Sequence, residues 1–259
     1  MLSTFQTVCL GASAAVAGAM NAVAGGGTLV TFPTLLAFGM PAIMANATST
    51  VALVIGTAGS MFGYRRHIET VKPLLRRFIP VSIIGGFIGS VLLTKTSNDA
   101  FAKMIPFLIL FATLVFLSQA AIRRFAGIET NGAMKPKHHA LWGAIVFQFF
   151  VSIYGGYFGA GIGILMLASL GFIGLSNIHE MNAIKTILGS FINVVASLWF
   201  IFAGLVNWSE AIVMTVGALA GYYLGAHFSQ RIPQARVRHL VTAIGFTISA
   251  VTFYKQFLR

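Results

Sequence analysis

The sequence predicts an all-α polytopic membrane protein of about eight transmembrane helices plus two half helices, built from two four-span repeats. Three observations predict it. Of the 259 residues, 57% are hydrophobic and only 8% charged, whereas soluble domains carry about a quarter charged residues. The apolar residues gather into runs near the roughly 20 residues that span a bilayer. The chain also matches itself at a single offset.

The spanning runs are 5–24, 45–64, 74–93, 101–121, 140–159, 181–204, 208–228 and 237–257. The first has no Lys or Arg ahead of it and reads as a span rather than a cleaved signal. Two apolar pieces, 28–38 and 162–173, are too short to cross at 1.5 Å per residue. Each directly follows a glycine cluster and reads as a half helix.

Shifting the chain by 136 positions lays Ala24-Gly25 on Ala160-Gly161 and Gly27 on Gly163. The same shift lays Asn46-Ala47 on Asn182-Ala183, Thr50 on Thr186, and Gly85 and Gly89 on Gly221 and Gly225. The expected organisation is a first transmembrane repeat over 1–122, a basic linker over 123–138 and a second repeat over 139–259. Four spans per repeat return the chain to its starting side, so parallel halves are expected; a half helix that truly crosses would invert them. The two Gly-x-x-x-Gly pairs suit close helix approach inside one chain or at a homodimer face.

The net charge of +12 comes from Lys and Arg clustered between apolar runs. That is the pattern of charged loops on one side of a membrane, not of nucleic-acid binding. With both termini in the cytoplasm, Arg65, Arg66, Lys72, Arg76, Arg77, Arg123, Arg124, Lys135, Lys137, Lys255 and Arg259 lie inside. Lys95, Lys103, Arg231, Arg236 and Arg238 then lie outside, so the 229–238 loop disagrees. Cys9 is the only cysteine, so no internal disulfide is possible.

The chain offers no catalytic constellation. Its five acids, Glu69, Asp99, Glu129, Glu180 and Glu210, fall at or near span ends. His179-Glu180 lacks the second histidine of a zinc-protease helix, because Ala183 stands in its place. No metal or cofactor is expected.

Backbone N–H groups exposed at mid-membrane are tolerable only in a wet cavity or against a ligand. Gly25, Gly26, Gly27 and Thr28, and then Gly161 and Gly163, each open a half helix whose N-terminus carries such groups and a positive dipole end. Two such ends suit an oxyanion, although glycines there also suit close packing. Lys185 is the one base inside a span; it contacts an anion, or it snorkels or pairs with Glu180. Its partner at the 136-residue offset is Ser49, within Asn46, Thr48, Ser49 and Thr50. With Asn182 and Thr186 these residues offer hydrogen bonds, though Asn46 to Thr50 could equally cap a helix. Asn21 and Tyr157, aligned just upstream of the clusters, could line the site, and Tyr157 could instead be a packing aromatic. The residues support a secondary transporter for a small anion, with a proton or sodium as coupling ion; a passive anion channel on the same scaffold is the alternative.

Asn21-x-x-Ala-Gly-Gly-Gly-Thr28, Pro33, and Ala47-Thr48-Ser49 resemble the first-repeat signature of the sulfite exporter TauE/SafE family. Tyr154-Gly-Gly-Tyr-Phe-Gly-Ala-Gly-Ile-Gly163, Asn182-Ala-Ile-Lys185 and Gly204-Leu-Val-x-Trp208 resemble its second repeat, so the resemblance covers nearly the whole chain. It implies export of sulfite or movement of sulfoacetate, other organosulfonates or thiosulfate across the bacterial cytoplasmic (inner) membrane.

Overall fold

A computed structural model describes residues 2–23, 26–63, 68–118, 138–173, 175, 177–228 and 234–257. Among these the regular structure is entirely helical. The ten helices are α1 (Thr4–Val23), α2 (Thr28–Ala37), α3 (Ala42–Gly63), α4 (Ile68–Lys95), α5 (Asn98–Leu117), α6 (His138–Tyr157), α7 (Ile162–Phe172), α8 (Ile178–Phe202), α9 (Trp208–Phe228) and α10 (Gln234–Phe257). Segments 42–59, 68–95, 98–115 and 179–202 have the length and apolarity to cross a membrane. The short helices α2 and α7 begin where the glycine clusters place them. Large apolar side chains such as Phe5, Trp142, Phe202 and Tyr223 face outward across the bundle, as a lipid-facing surface requires.

Helix contacts fix the relative directions. Gly217 and Gly221 of α9 lie on Gly11 and Ala15 of α1, so α1 and α9 run the same way. Gly85 and Gly89 of α4 lie on Ser152 and Ile153 of α6, so that pair is also parallel. Helix α8 follows α4, with Ile192 on Gly86 and the Trp199 indole donating to Thr94 at 3.3 Å. Helix α3 runs against α8, because Ser190 donates to the Thr57 carbonyl while Thr48 accepts from Asn207, beyond the far end of α8. Helix α3 runs with α9, joined through Thr57 and Tyr222. It follows that α1, α3 and α9 point one way, and α4, α6 and α8 the other.

The remaining helices fit the same alternation. Helix α5 starts beside the start of α3, where Asn98 accepts from the Ile43 N–H. Helix α10 runs against it, with Ser249 bonded to the Pro106 carbonyl and Gly245 beside Thr113. Helix α2 doubles back along α1, with Gly27 beside Ala17 at its start and the Phe38 ring against Phe5 at its end.

This corrects the parallel arrangement expected above. Helices α1 and α6, aligned by the 136-residue offset, point in opposite directions. The physical reason is α2: it reverses the chain, which adds the odd segment that breaks the parity. Both ends of the 119–137 connection, which contains most of the basic linker, therefore emerge on the face opposite Thr4 and Phe257; the connection itself lies outside the described residues.

Small residues make these close pairs possible. A Cβ on Gly221 would fall on the Ala15 carbonyl, and one on Gly89 on the Ile153 carbonyl. Gly225 similarly sits on Ala19, and Gly85 on Phe149. All four repeated glycines are thus spent inside the chain, where apolar lipid supplies no force between helices and close van der Waals contact must. Across the α4–α6 seam, Gln148, itself 1% exposed, donates to Ser82 and Ser152, so this buried amide is satisfied.

Candidate functional site

The first glycine run is tied down from within. Gly26 adopts φ +89°, a conformation that suits glycine. The Gly27 N–H donates to Asn21 Oδ1 at 2.7 Å, and Gly27 rests on α1, where a Cβ would approach the Ala17 carbonyl to 2.6 Å. Asn21 Nδ2 donates to the Tyr222 hydroxyl at 3.0 Å, and that hydroxyl meets Thr57 Oγ1 at 2.9 Å. Since Thr57 gives its only proton to the Leu53 carbonyl, Tyr222 must be the donor to Thr57. One directional chain thus runs from α2 through α1 and α9 to α3. Gly25 lies outside the described residues, and Thr28 opens α2, half-buried.

The polar run on α3 is engaged as well. Ser49 and Thr31 hydroxyls stand 2.6 Å apart; Thr31 donates to the Gly27 carbonyl, which makes Ser49 the donor to Thr31. Thr50 donates to the Asn46 carbonyl, and Thr48 accepts the Asn207 N–H at 3.1 Å. Asn46, 1% exposed, donates through Nδ2 to the Tyr157 carbonyl at 3.1 Å, while its Oδ1 has no partner. The first repeat's polar run therefore reaches the end of α6, just ahead of the second glycine run.

The second run is arranged differently. Helix α6 stops at Tyr157, Gly159 and Gly161 take φ +84° and +81°, and α7 starts at Ile162. Among the described residues no side chain accepts from the N–H groups of Gly161, Ile162 or Gly163. The aliphatic stem of Lys185 lies over Gly163, with Cδ 3.1 Å from where a Cβ would stand. Any side chain at 163 would push that stem away. Asn182, Lys185 and Thr186 share one face of α8, separated by three and four residues, and all three are half-buried. The Asn182 amide and the Thr186 hydroxyl make no hydrogen bond among the described residues. Tyr157 packs edge-on to Phe101 at 5.6 Å, with its hydroxyl 3.4 Å from Thr96.

Tyr222, Thr57 and Thr31 were not singled out from the sequence. Thr57 could have been found, since it continues the Asn46–Thr50 stripe at the seven-residue spacing of one helix face. Tyr222 carries no such local signal.

An all-helical bundle with outward apolar side chains, close glycine seams and polar groups gathered at two interrupted segments defines a polytopic membrane protein. The profile of the sulfite exporter TauE/SafE family matches residues 10–252, and the chain belongs to that family. It is similar to a probable membrane transporter protein of Haemophilus influenzae, 30% identical over 243 residues that cover 93% of this chain and 92% of that protein. It is also similar to the probable membrane transporter protein YfcA of Escherichia coli K12, 26% identical over 244 residues covering 93% and 87%. No solved structure matches. The family is one of membrane transporters, not of enzymes.

Proposed function

We propose that the protein is a secondary transporter for a small sulfur-containing anion (sulfite, sulfoacetate or another organosulfonate, or thiosulfate) bound at the second glycine run. The observation that carries this is the contrast between the two halves. Around Asn46–Thr50 the hydroxyl protons of Ser49 and Thr50 are spent within the chain. Around Asn182–Thr186 the amide and hydroxyl are uncommitted and half-buried, beside Lys185 and the N-terminus of α7. An oxyanion there would meet the Lys185 ammonium, two side-chain donors and the N–H groups of 161–163, all of which favour negative charge. The first run, closed by Asn21 and Tyr222, supplies rigidity and Thr28 lines its edge.

Two supports bear on alternating access. Contacts exchange under the 136-residue offset: α1 on α9 corresponds to α6 on α4, and α1 on α2 to α6 on α7. The paired helices point in opposite senses, which is the layout of inverted repeats that rock about a central site. We read the architecture as eight spans with two half helices in two inverted units.

Among the described residues, the helix directions put Lys72, Arg76, Arg77, Arg236 and Arg238, five bases, toward the face away from Thr4, and Lys95, Lys103 and Lys255, three, toward the other. We read the five-base face as cytoplasmic by the positive-inside bias, with both termini outside, in the bacterial inner membrane.

The test is ligand-dependent thermal stabilisation of the purified protein across sulfite, sulfate, thiosulfate, taurine and sulfoacetate. A sulfur anion that stabilises wild type and not Lys185→Ala supports the reading. No stabilisation by any of them, or equal stabilisation of both proteins, contradicts it.

A further inference from the structure

The face carrying the chain termini holds a cavity of about 390 Å³. It opens between the first turns of α1, the end of α2, and the starts of α3 and α9. Gln6, Met40, Met44, Asn207, Ser209 and Glu210 are among the residues that line it.

Glu210 is the one ionisable side chain in that lining. Its Oε2 is shielded from solvent and has no hydrogen-bond partner. Glu210 lies in the first turn of α9, whose N-terminus supplies partial positive charge, but no Lys, Arg or His side chain is among the described residues that line the cavity. Helices α1, α2 and α3 contain no Lys, Arg, His, Asp or Glu; their one titratable group is the half-buried thiol of Cys9 on α1. On α9 itself the next titratable group is Tyr222, three turns on, and His227 stands near the other end. Among the described residues, the other charges toward this face, Lys95, Asp99, Lys103 and Lys255, belong to α4, α5 and α10, and Glu210 makes no ion pair.

Glu210 is half-buried, and the shielded Oε2 keeps lone pairs that no donor in the described residues fills, so a bound cation would find a ready oxygen there. The neighbouring donors are hard oxygens. Gln6 Oε1 accepts only from the Ser3 N–H, and Asn207 Oδ1 only from the Ser209 N–H, leaving each a further lone pair. A single carboxylate with amide oxygens suits a proton or a sodium ion. It does not suit a transition metal, since no group of three His, Cys, Asp or Glu forms among the described residues.

We infer that Glu210 is the cation-coupling site, taking up a proton or sodium ion from the solution on the terminal face. This rests on the transport reading above and adds the coupling partner to it. The relay is short. Asn207, which shares the cavity wall, gives its N–H to Thr48 Oγ1 at 3.1 Å, and Thr48 is fully buried between Ala47 and Ser49 on α3. Cation loading at Glu210 therefore bears directly on the helix whose Asn46 holds the carbonyl at the second glycine run.

The test uses full-length protein in proteoliposomes with labelled sulfite, in two modes. The first is exchange against unlabelled sulfite with equal pH and sodium on both sides. The second is accumulation driven by an imposed pH gradient or, separately, a sodium gradient. Wild type performs exchange and responds to one gradient, which identifies the cation. Glu210→Gln keeps exchange but loses driven accumulation by about tenfold or more, the scale of a coupling free energy; Glu210→Asp recovers part of it. Driven accumulation in Glu210→Gln equal to wild type overturns the inference, as does equal loss of both modes in monodisperse protein. Absence of exchange in wild type instead overturns the transport reading on which the inference stands.

Discussion

Removing the Tyr222 hydroxyl tests the chain of bonds that closes the first glycine run. Tyr222→Phe keeps the ring that fills the space left by Gly56, where a Cβ would collide with it. It deletes one oxygen, which accepts from Asn21 at 3.0 Å and donates to Thr57 at 2.9 Å. Thr57 retains its bond to the Leu53 carbonyl, so the loss falls on Asn21 Nδ2. An orphaned buried donor costs about 1–3 kcal/mol, while interhelical hydrogen bonds in membranes average about 0.6 kcal/mol. We therefore predict a destabilisation of about 0.6–2 kcal/mol, or roughly threefold to thirtyfold in the unfolding equilibrium. Asn21→Ala should cost more, because it also strips the acceptor from the Gly27 N–H. The assay is equilibrium unfolding in detergent for the two single variants and the double variant. Since both singles break the same bond, the double should cost less than their sum by at least about 0.6 kcal/mol. Simple additivity, within about 0.3 kcal/mol, would refute the coupled chain.

Other outcomes follow from the same contacts. Gly221→Val and Gly89→Val should each cost about 1–3 kcal/mol or block folding, because the added atoms meet the carbonyls of Ala15 and Ile153, whereas Gly59→Val, open on its Cβ side, should be tolerated far better; melting temperatures in detergent check this. Gly163→Val should displace the Lys185 stem and weaken anion binding at least as much as it weakens stability, read by titrating sulfite into the folded variant. A cysteine added at Ser3 in a Cys9→Ser background should react with a membrane-impermeant maleimide in intact cells whose outer membrane is permeabilised; protection there, with labelling only after the inner membrane is opened, would return the termini to the cytoplasm.

The helical class was legible in composition, and the starts of the short helices α2 and α7 were legible because glycine is locally informative. Helix α7 begins at Ile162, directly after Gly159 and Gly161 in the positive-φ region that strongly favours glycine. The direction of the halves was not legible in the same way. Whether ten residues of α2 reverse the chain depends on Gly27 lying against Ala17, a tertiary contact that no local pattern announces. The 136-residue offset pairs the candidate residues, but it says nothing of their hydrogen-bond states. Ser49 and Thr186 are both polar at aligned or neighbouring positions, yet Ser49 is bound to Thr31 from another helix, while the Thr186 hydroxyl makes no hydrogen bond among the described residues. Tyr222 was missed for a related reason: its partners are 201 and 165 residues away in the chain.

In the proposed transport cycle Lys185, seated over Gly163, supplies the positive charge for a sulfur anion bound at the second glycine run. The most direct measurement is uptake of labelled sulfite by proteoliposomes preloaded with unlabelled sulfite, compared among wild type, Lys185→Ala and Lys185→Arg. The account predicts saturable, trans-stimulated uptake in wild type, at least about tenfold loss in Lys185→Ala, the scale of one charge-assisted hydrogen bond, and partial retention in Lys185→Arg. Uptake by Lys185→Ala indistinguishable from wild type, or a linear flux in wild type that preloading does not accelerate, would contradict it.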